Sequence, residues 1–265
     1  MANLARQPWS RWFVFLAVIL ACALSIGWLQ SIRLQTLQAD REMVSVDEIR
    51  RATAAEQTRL SLLRQLPAFG FDNVVADWTF LNFLQYFGDD VARRKTDYAL
   101  SPEFFEVILA RDPYFLEVYP FLSTSTSIYA GMPDRAVALM QRALQSLKPN
   151  VPPRSYFAWR QLGIDQLLFL GDAPAAQRSF ETAAQWASQS SLPESQHVAE
   201  VSEQTARFLA DNPNSKTAQI SAWVMVLNSA PDDRTRQTAI QQITALGGNI
   251  AENPDGTVTV QPPAE

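Results

Sequence analysis

The sequence predicts an all-α protein in which an N-terminal transmembrane helix is followed by an α-solenoid of helix-turn-helix repeats. Three observations lead to this prediction. Residues 12–32 contain no charged side chain. Two later stretches match each other at a fixed offset of forty residues, and such internal similarity is typical of repeat architectures. Glycine and proline stand where the predicted helices would have to end.

Composition favours a folded chain and argues against nucleic-acid binding. The 265 residues are 47% hydrophobic and 18% charged, which is sufficient for a sizeable core. Arg6 and Arg11 account for two of the 22 basic residues, whereas all 27 acidic residues lie beyond residue 12. Because nucleic acids require a basic surface, we expect no nucleic-acid partner.

Residues 12–32 are predicted to be the membrane anchor. The run is about as long as the roughly 20 residues that a helix needs to cross a bilayer. Trp12 and Trp28 lie near its ends, where amphipathic rings suit the headgroup region. Basic residues precede it, so the positive-inside rule predicts a cytoplasmic segment 1–11 and a translocated body.

Two alternatives to a retained anchor remain open. Ala21-Cys22-Ala23 resembles a signal-peptide cleavage site, and Ile19-Leu20-Ala21-Cys22 resembles the lipidation motif of bacterial lipoproteins. The retained anchor is favoured because the chain stays apolar after Cys22. Cys22 is the single cysteine, so a disulfide within the chain is impossible.

Residues 33–66 are predicted to form a linker helix, which Pro67 and Gly70 end. The segment Phe69–Phe87 that follows is apolar on almost every side. A helix of this kind lies at the centre of a core, or one of its faces meets a bilayer or a membrane-protein partner.

The repeat is defined by seven positions that recur at an offset of forty. Each stretch has the order large aromatic, leucine, small residue, turn glycine, alanine, large apolar residue, alanine. An aromatic and a leucine three residues apart share one helix face, and the alanines allow a second helix to approach closely. The pairs are Tyr119 with Trp159, Leu122 with Leu162, Ser123 with Gly163, Gly131 with Gly171, Ala136 with Ala176, Met140 with Phe180, and Ala143 with Ala183.

The second stretch resembles the tetratricopeptide repeat, whose two helices carry W-x-x-L-G and A-x-x-x-F-x-x-A. The matching residues are Trp159, Leu162, Gly163, Ala176, Phe180 and Ala183, with Gly171 at the turn. The turn glycine comes one residue late, and the period is forty rather than thirty-four. Residues 148–153 account for the longer period.

Weaker units flank this pair, so the repeat domain is predicted to span residues 67–247. An extra helix is expected near residues 194–209. The tail, residues 248–265, contains a turn signal and a short alternating segment, which favour a small hairpin or a frayed end.

No motif in the sequence indicates catalysis, a cofactor or a metal. The single histidine, His197, lies between Glu194 and Glu200 on a polar helix, which is typical of a surface residue. Four acids, Asp72, Asp77, Asp89 and Asp90, lack calcium-loop spacing. We interpret Asp72 as an N-cap and Asp89 and Asp90 as the start of the next element. The protein is therefore expected not to be an enzyme.

The resemblance to tetratricopeptide proteins implies an adaptor that binds protein partners in a groove. The candidate groove residues are Tyr129, Tyr156, Trp159, Arg160 and Arg178. The segment Leu66–Asp90 also resembles cyanobacterial membrane proteins with such repeats. This resemblance implies a thylakoid or plasma-membrane location, with the body in the thylakoid lumen or the periplasm, and a role in assembling a photosynthetic complex. The alternatives are a periplasmic envelope or secretion accessory protein, and an enzyme subunit with a carboxylate site.

Overall fold

The N-terminal region is described only in part. The computed structural model describes residues 15–30, 44–213, 216–228, 233–252 and 258–261. Residues 15–30 form a helix, α1. The predicted cytoplasmic segment 1–11, both ends of the predicted anchor and the start of the linker lie outside the described residues. Within the described ranges, no helix is both long enough and apolar enough to cross a membrane.

The chain divides into two compact units, Met1–Arg51 and Ala52–Glu265. The boundary falls inside the helix Val46–Gln65. From this helix onward the described elements are almost all helical, which confirms the all-α class. In chain order they are α2 (Val46–Gln65), α3 (Asp72–Phe87), α4 (Asp90–Lys95), α5 (Ser101–Arg111), α6 (Val118–Leu122), the π-helical segment (Ser123–Tyr129), α7 (Pro133–Leu144), α8 (Tyr156–Phe169), α9 (Ala173–Ser188), α10 (Ser195–Asp211), α11 (Lys216–Asn228), α12 (Asp233–Ala245), β1 (Asn249–Glu252) and β2 (Val258–Gln261).

The two stretches that match in sequence each fold into a helix pair, with α6 and the π-helical segment before α7 in the first and α8 before α9 in the second. Gly131 and Gly171 both have a left-handed backbone, with φ of 69° and 64°, a conformation that glycine adopts at little cost. At both turns the same backbone hydrogen bond of 2.9 Å forms between residues six positions apart, from Met132 N to Thr126 O and from Asp172 N to Gln166 O.

The paired apolar positions also occupy equivalent places in the core. The leucines, alanines and large apolar residues at these positions are all buried, with exposed fractions no higher than 5%. In the second unit the approach of the helices is close, because a Cβ atom on Gly163 would lie 3.0 Å from the Phe180 ring. Glycine is therefore required here by packing between α8 and α9.

Helix α8 joins three parts of the core. Leu162 packs into the main cluster that α3, α5 and α7 build. Leu167 packs with Phe180 of α9 and with residues of α10, and Leu168 packs with α11 and α12 around Trp223. As a result, side chains that α8 does not bury in these clusters lie close to several neighbouring helices.

Asp72 does not act as the predicted N-cap. Helix α3 begins at Asp72 itself, and no side-chain cap is formed at Phe71. The Asp72 carboxylate instead accepts a hydrogen bond from Arg111 at 2.9 Å, and Arg111 also donates to the Leu63 and Leu66 carbonyl oxygens. This ion pair links the end of α2 to α3 and α5. Asp89, by contrast, caps α4 by accepting from Ala92 N.

At the C-terminal end, the tail contains a two-stranded antiparallel sheet. Asn249 pairs with Gln261, and Ile250 pairs with Val260. Gly247 precedes it with φ of 90°. Ile250 and Val260 pack against the Trp223 cluster, so the paired strands cover part of the core formed by α11 and α12.

Candidate binding sites

Helix α3 has a buried inner face and an apolar outer face. Phe83 is fully buried and contacts the rings of Phe104 and Phe105 at 5.8 and 4.6 Å. On the opposite side lies the outer face of α3, whose side chains recur at helical spacing and are largely exposed. They are Phe71, which directly precedes α3, and Val74, Trp78 and Leu81 within it, with exposed fractions of 66%, 60%, 60% and 52%.

The turn before α3 extends this surface. Phe69 is 86% exposed and has a positive φ of 50°, which is uncommon for a bulky residue. Leu62 of α2 and Leu66 just after it are also exposed. Exposed apolar surface of this kind marks sites of interaction with proteins or membranes. Asn73 and Asp77 are exposed beside the strip, so a partner must also accommodate polar groups.

A second candidate surface is a groove of about 420 Å³ between α8, α9, α10 and α11, which we call the α8–α11 groove. Its walls are mostly apolar and include Leu167, Phe180, Phe208 and Met225. Two of these side chains, Phe208 and Met225, are substantially exposed. The insertion of α10 after the second helix pair creates this groove, because α10 packs mainly against α9.

Arg160 is the charged residue of the α8–α11 groove. Its guanidinium donates to Ser202 Oγ at 2.6 Å and lies 5.9 Å from the centre of the Phe180 ring. Burial lowers the pKa of this guanidinium from its ordinary value. Among the described residues, no carboxylate lies within ion-pairing distance of Arg160. The groove thus combines an apolar surface with a cation that lacks a countercharge.

A third site, the Asp165 pocket, shares Ile164, Ala222 and Met225 with the α8–α11 groove. It has a volume of about 240 Å³ and is lined by residues of α6, the π-helical segment, α8, α11 and α12. Ser123, Gln161 and Asp165 give it a polar wall, and Leu168 and Phe169 contribute to its apolar wall.

Only one of the two oxygens of the Asp165 carboxylate has hydrogen-bond donors among the described residues. Its Oδ1 accepts a hydrogen bond from Ser123 Oγ at 2.7 Å and another from Gln161 Nε2 at 2.9 Å. Its Oδ2 is buried and has no hydrogen-bond partner among the described residues. Because Asp165 is fully buried, desolvation raises its pKa to about 7, against the effect of the two hydrogen bonds.

The π-helical segment places Ser123 against Asp165. It contains the residues Ser-Thr-Ser-Thr-Ser-Ile-Tyr, and its wider turn is seen in the bond from Ala130 N to Ser125 O at 3.0 Å. Ser123, Thr124 and Ile128 line the pocket from this segment. Short π-helical turns occur frequently at functional sites.

The structure does not bring the five residues predicted for a groove onto one surface. Arg160 lines the α8–α11 groove. Tyr156 is fully buried, so its ring is not a groove surface. Trp159 packs against the Trp186 ring at 5.7 Å, and Arg178 is exposed on α9.

Tyr129, the fifth predicted groove residue, lies in an aromatic cluster near α12. Its ring contacts those of Phe87 and Tyr98 at 4.9 and 4.8 Å. Thr235 donates to its hydroxyl, and Arg234 donates to its carbonyl oxygen. These bonds attach α12 to the first helix pair.

Sequence reasoning missed Asp165. The available signal was the single acidic residue of α8, which lies four residues after Gln161 and directly before Gln166. His197 is exposed, as expected. Within the described part of the chain, no group of three or more His, Cys, Asp or Glu side chains is arranged to hold a metal ion.

Fold and sites together define an all-α protein of stacked helix-turn-helix units with three candidate binding surfaces. No protein-family model, no curated protein and no solved structure matches this chain.

Proposed function

We propose that this protein is a membrane-associated helical-repeat adaptor that holds a membrane-protein subunit, in the manner of tetratricopeptide proteins. The observation that carries this proposal is the outer face of α3. Four large apolar side chains of one helix face are exposed, although the opposite face of the same helix is fully packed. Exposed apolar surface of this kind is unfavourable unless a partner covers it.

A protein partner fits the outer face of α3 better than lipid does. Asp77 and Asn73 are exposed beside the apolar strip. A carboxylate is costly to place in hydrocarbon, whereas a protein can offer it a hydrogen-bond donor or a cation. The membrane association is supported by the uncharged run 12–32, which would keep the repeat domain close to membrane subunits.

We further propose a thylakoid or plasma-membrane location in a cyanobacterium and a role in assembling a photosynthetic complex. This part of the proposal follows from the resemblance of the segment Leu66–Asp90. A periplasmic role in envelope assembly or secretion is the rival, and the photo-crosslinking experiment below separates the two.

The test is photo-crosslinking from the outer face of α3 in the full-length chain within native membranes. A photoreactive phenylalanine analogue replaces Trp78 in one variant and Ala138 in the control. Ala138 is exposed on α7, away from the apolar strip. We expect a discrete protein adduct from position 78 and none from position 138.

The identity of the adduct decides between the roles. Photosystem subunits support photosynthetic assembly, whereas secretion or cell-wall proteins support the envelope role. Adducts to lipid alone would contradict the protein-docking proposal. The same adduct from both positions would show that the crosslink reports abundance and not docking.

A further inference from the structure

The Asp165 pocket has the features of a built binding site. A fully buried carboxylate forms part of the wall of a pocket of about 240 Å³. Its Oδ2 has no partner among the described residues. A buried acceptor without a donor is unfavourable, so a ligand that donates to Oδ2 would gain a strong interaction.

The arrangement around Asp165 indicates what kind of donor fits. Oδ1 already accepts from Ser123 and Gln161, which leaves the buried Oδ2 as the carboxylate oxygen without a donor among the described residues. A guanidinium binds best with its two parallel donors on two carboxylate oxygens. An ammonium group is a compact charge that can donate to one oxygen, and it therefore suits this carboxylate better.

The rest of the pocket indicates what should carry the ammonium. Leu168 and Phe169 contribute apolar surface, against which an alkyl stem can pack while its charged end reaches a polar group. A metal ion would require additional oxygen or nitrogen ligands. No suitable cluster exists in the described ranges of the chain.

We propose that the Asp165 pocket binds a primary alkylammonium group, presented as the lysine side chain of a protein partner. Oδ2 of Asp165 accepts from the ammonium, Ser123 and Gln161 hold the carboxylate in place, and the methylene groups contact the apolar wall. The proposal that the ammonium belongs to a lysine of a protein partner rests on the proposed adaptor role. The ammonium site itself does not rest on that role, so an experiment can contradict either one alone.

The first experiment measures the thermal stability of the detergent-solubilised full chain with two pairs of probes. One pair is Nα-acetyl-lysine amide and its uncharged counterpart Nα-acetyl-norleucine amide. The other pair is n-butylamine and n-butanol. We expect a concentration-dependent rise in Tm with each amine and none with its uncharged counterpart, because bound ligand stabilises the folded state.

The matched variants are Asp165→Asn and Asp134→Asn. Asp134 is an exposed acid on α7, so its variant should keep the full rise in Tm, whereas Asp165→Asn should lose it. No rise with the wild-type chain, or an undiminished rise with Asp165→Asn, would overturn the ammonium site. Tighter binding of n-butylamine than of the lysine amide would overturn the lysine source.

A second measurement does not depend on the folding of a variant. An alkylamine that carries a diazirine is photolysed with the wild-type chain, and the adduct is mapped by mass spectrometry. We expect labelling at the pocket wall, within Ser123–Tyr129, α8, α11 or the start of α12, that excess n-butylamine suppresses. Labelling elsewhere, or labelling that n-butylamine does not suppress, would contradict the proposal.

Discussion

The Ser123 hydroxyl donates a hydrogen bond of 2.7 Å to Asp165 Oδ1, although the two residues are 42 positions apart in the chain. Ser123 begins the π-helical segment, and Asp165 lies in α8. The hydrogen bond therefore connects the first helix of one pair to the first helix of the next pair. The counterpart of Ser123 in the second pair is Gly163, which has no side chain to donate. The second helix pair therefore cannot form the same hydrogen bond.

The buried carboxyl of Asp165 should make stability depend on pH. Its pKa is about 7 in the folded chain, against an ordinary value of 3.8. A raised pKa means that folding favours the protonated form. The stability that this preference for the protonated carboxyl provides is fully present below about pH 4 and is lost as the pH rises through about 7.

The variant Asp165→Asn removes this titration. Relative to wild type, the free energy of unfolding of the variant should increase between about pH 4 and about pH 8, by at most about 4 kcal/mol. Urea unfolding followed by circular dichroism at several pH values measures the difference. Asp134→Asn is the control, and a difference that stays constant with pH for Asp165→Asn would refute the expectation.

The alanines of α9 should not tolerate larger side chains. Ala176 and Ala183 are fully buried at the close contact with α8. Replacement of either by leucine should overpack this contact and lower the free energy of unfolding by about 1–3 kcal/mol. Ala138→Leu on α7 is the control, because Ala138 is exposed. Unchanged unfolding midpoints for Ala176→Leu and Ala183→Leu would mean that the repeat register is misassigned.

Arg160 should matter for partner binding more than for folding. The guanidinium has no carboxylate counterpart among the described residues, so Arg160→Met leaves no buried acid unpaired. We expect the variant to fold, to lose one hydrogen bond to Ser202 at a cost of about 1 kcal/mol, and to retain less partner in affinity isolation. Arg178→Met is the matched control because Arg178 is exposed on α9 and does not line the groove. Equal partner recovery from the two variants would exclude the groove as the binding surface.

The uncharged run 12–32 should keep the mature chain in the membrane. We expect the full-length protein to remain in the membrane fraction after an alkaline wash and to retain its N-terminal residues when its intact mass is measured. A mass that lacks the residues up to Ala21, Cys22 or Ala23 indicates cleavage. An added lipid mass on Cys22 indicates lipidation. Protease added to oriented vesicles tests the topology, because digestion of the body from the cytoplasmic side alone would reverse the predicted orientation.

Local pattern was sufficient for the helix pairs and their turns. Gly131 and Gly171 were found by their spacing, and both adopt the positive φ that only glycine takes readily. The same holds for Ala176 and Ala183, because a small residue that repeats at helical spacing marks the side on which another helix packs. The apolar character of α3 was also visible, although the sequence did not reveal which of its faces would be exposed.

What the sequence by itself determined is therefore the helical periodicity and the two turns, since both depend on residues close together in the chain. Tertiary structure decided the burial of Tyr156, the groove that α10 creates beside Arg160, and the half-satisfied carboxylate of Asp165. Each of these depends on helices that are distant in sequence and adjacent in space. The environment of Asp165 shows the reason most directly: its hydrogen bond to Ser123 and its pKa arise from desolvation by neighbouring helices, which no spacing within α8 encodes.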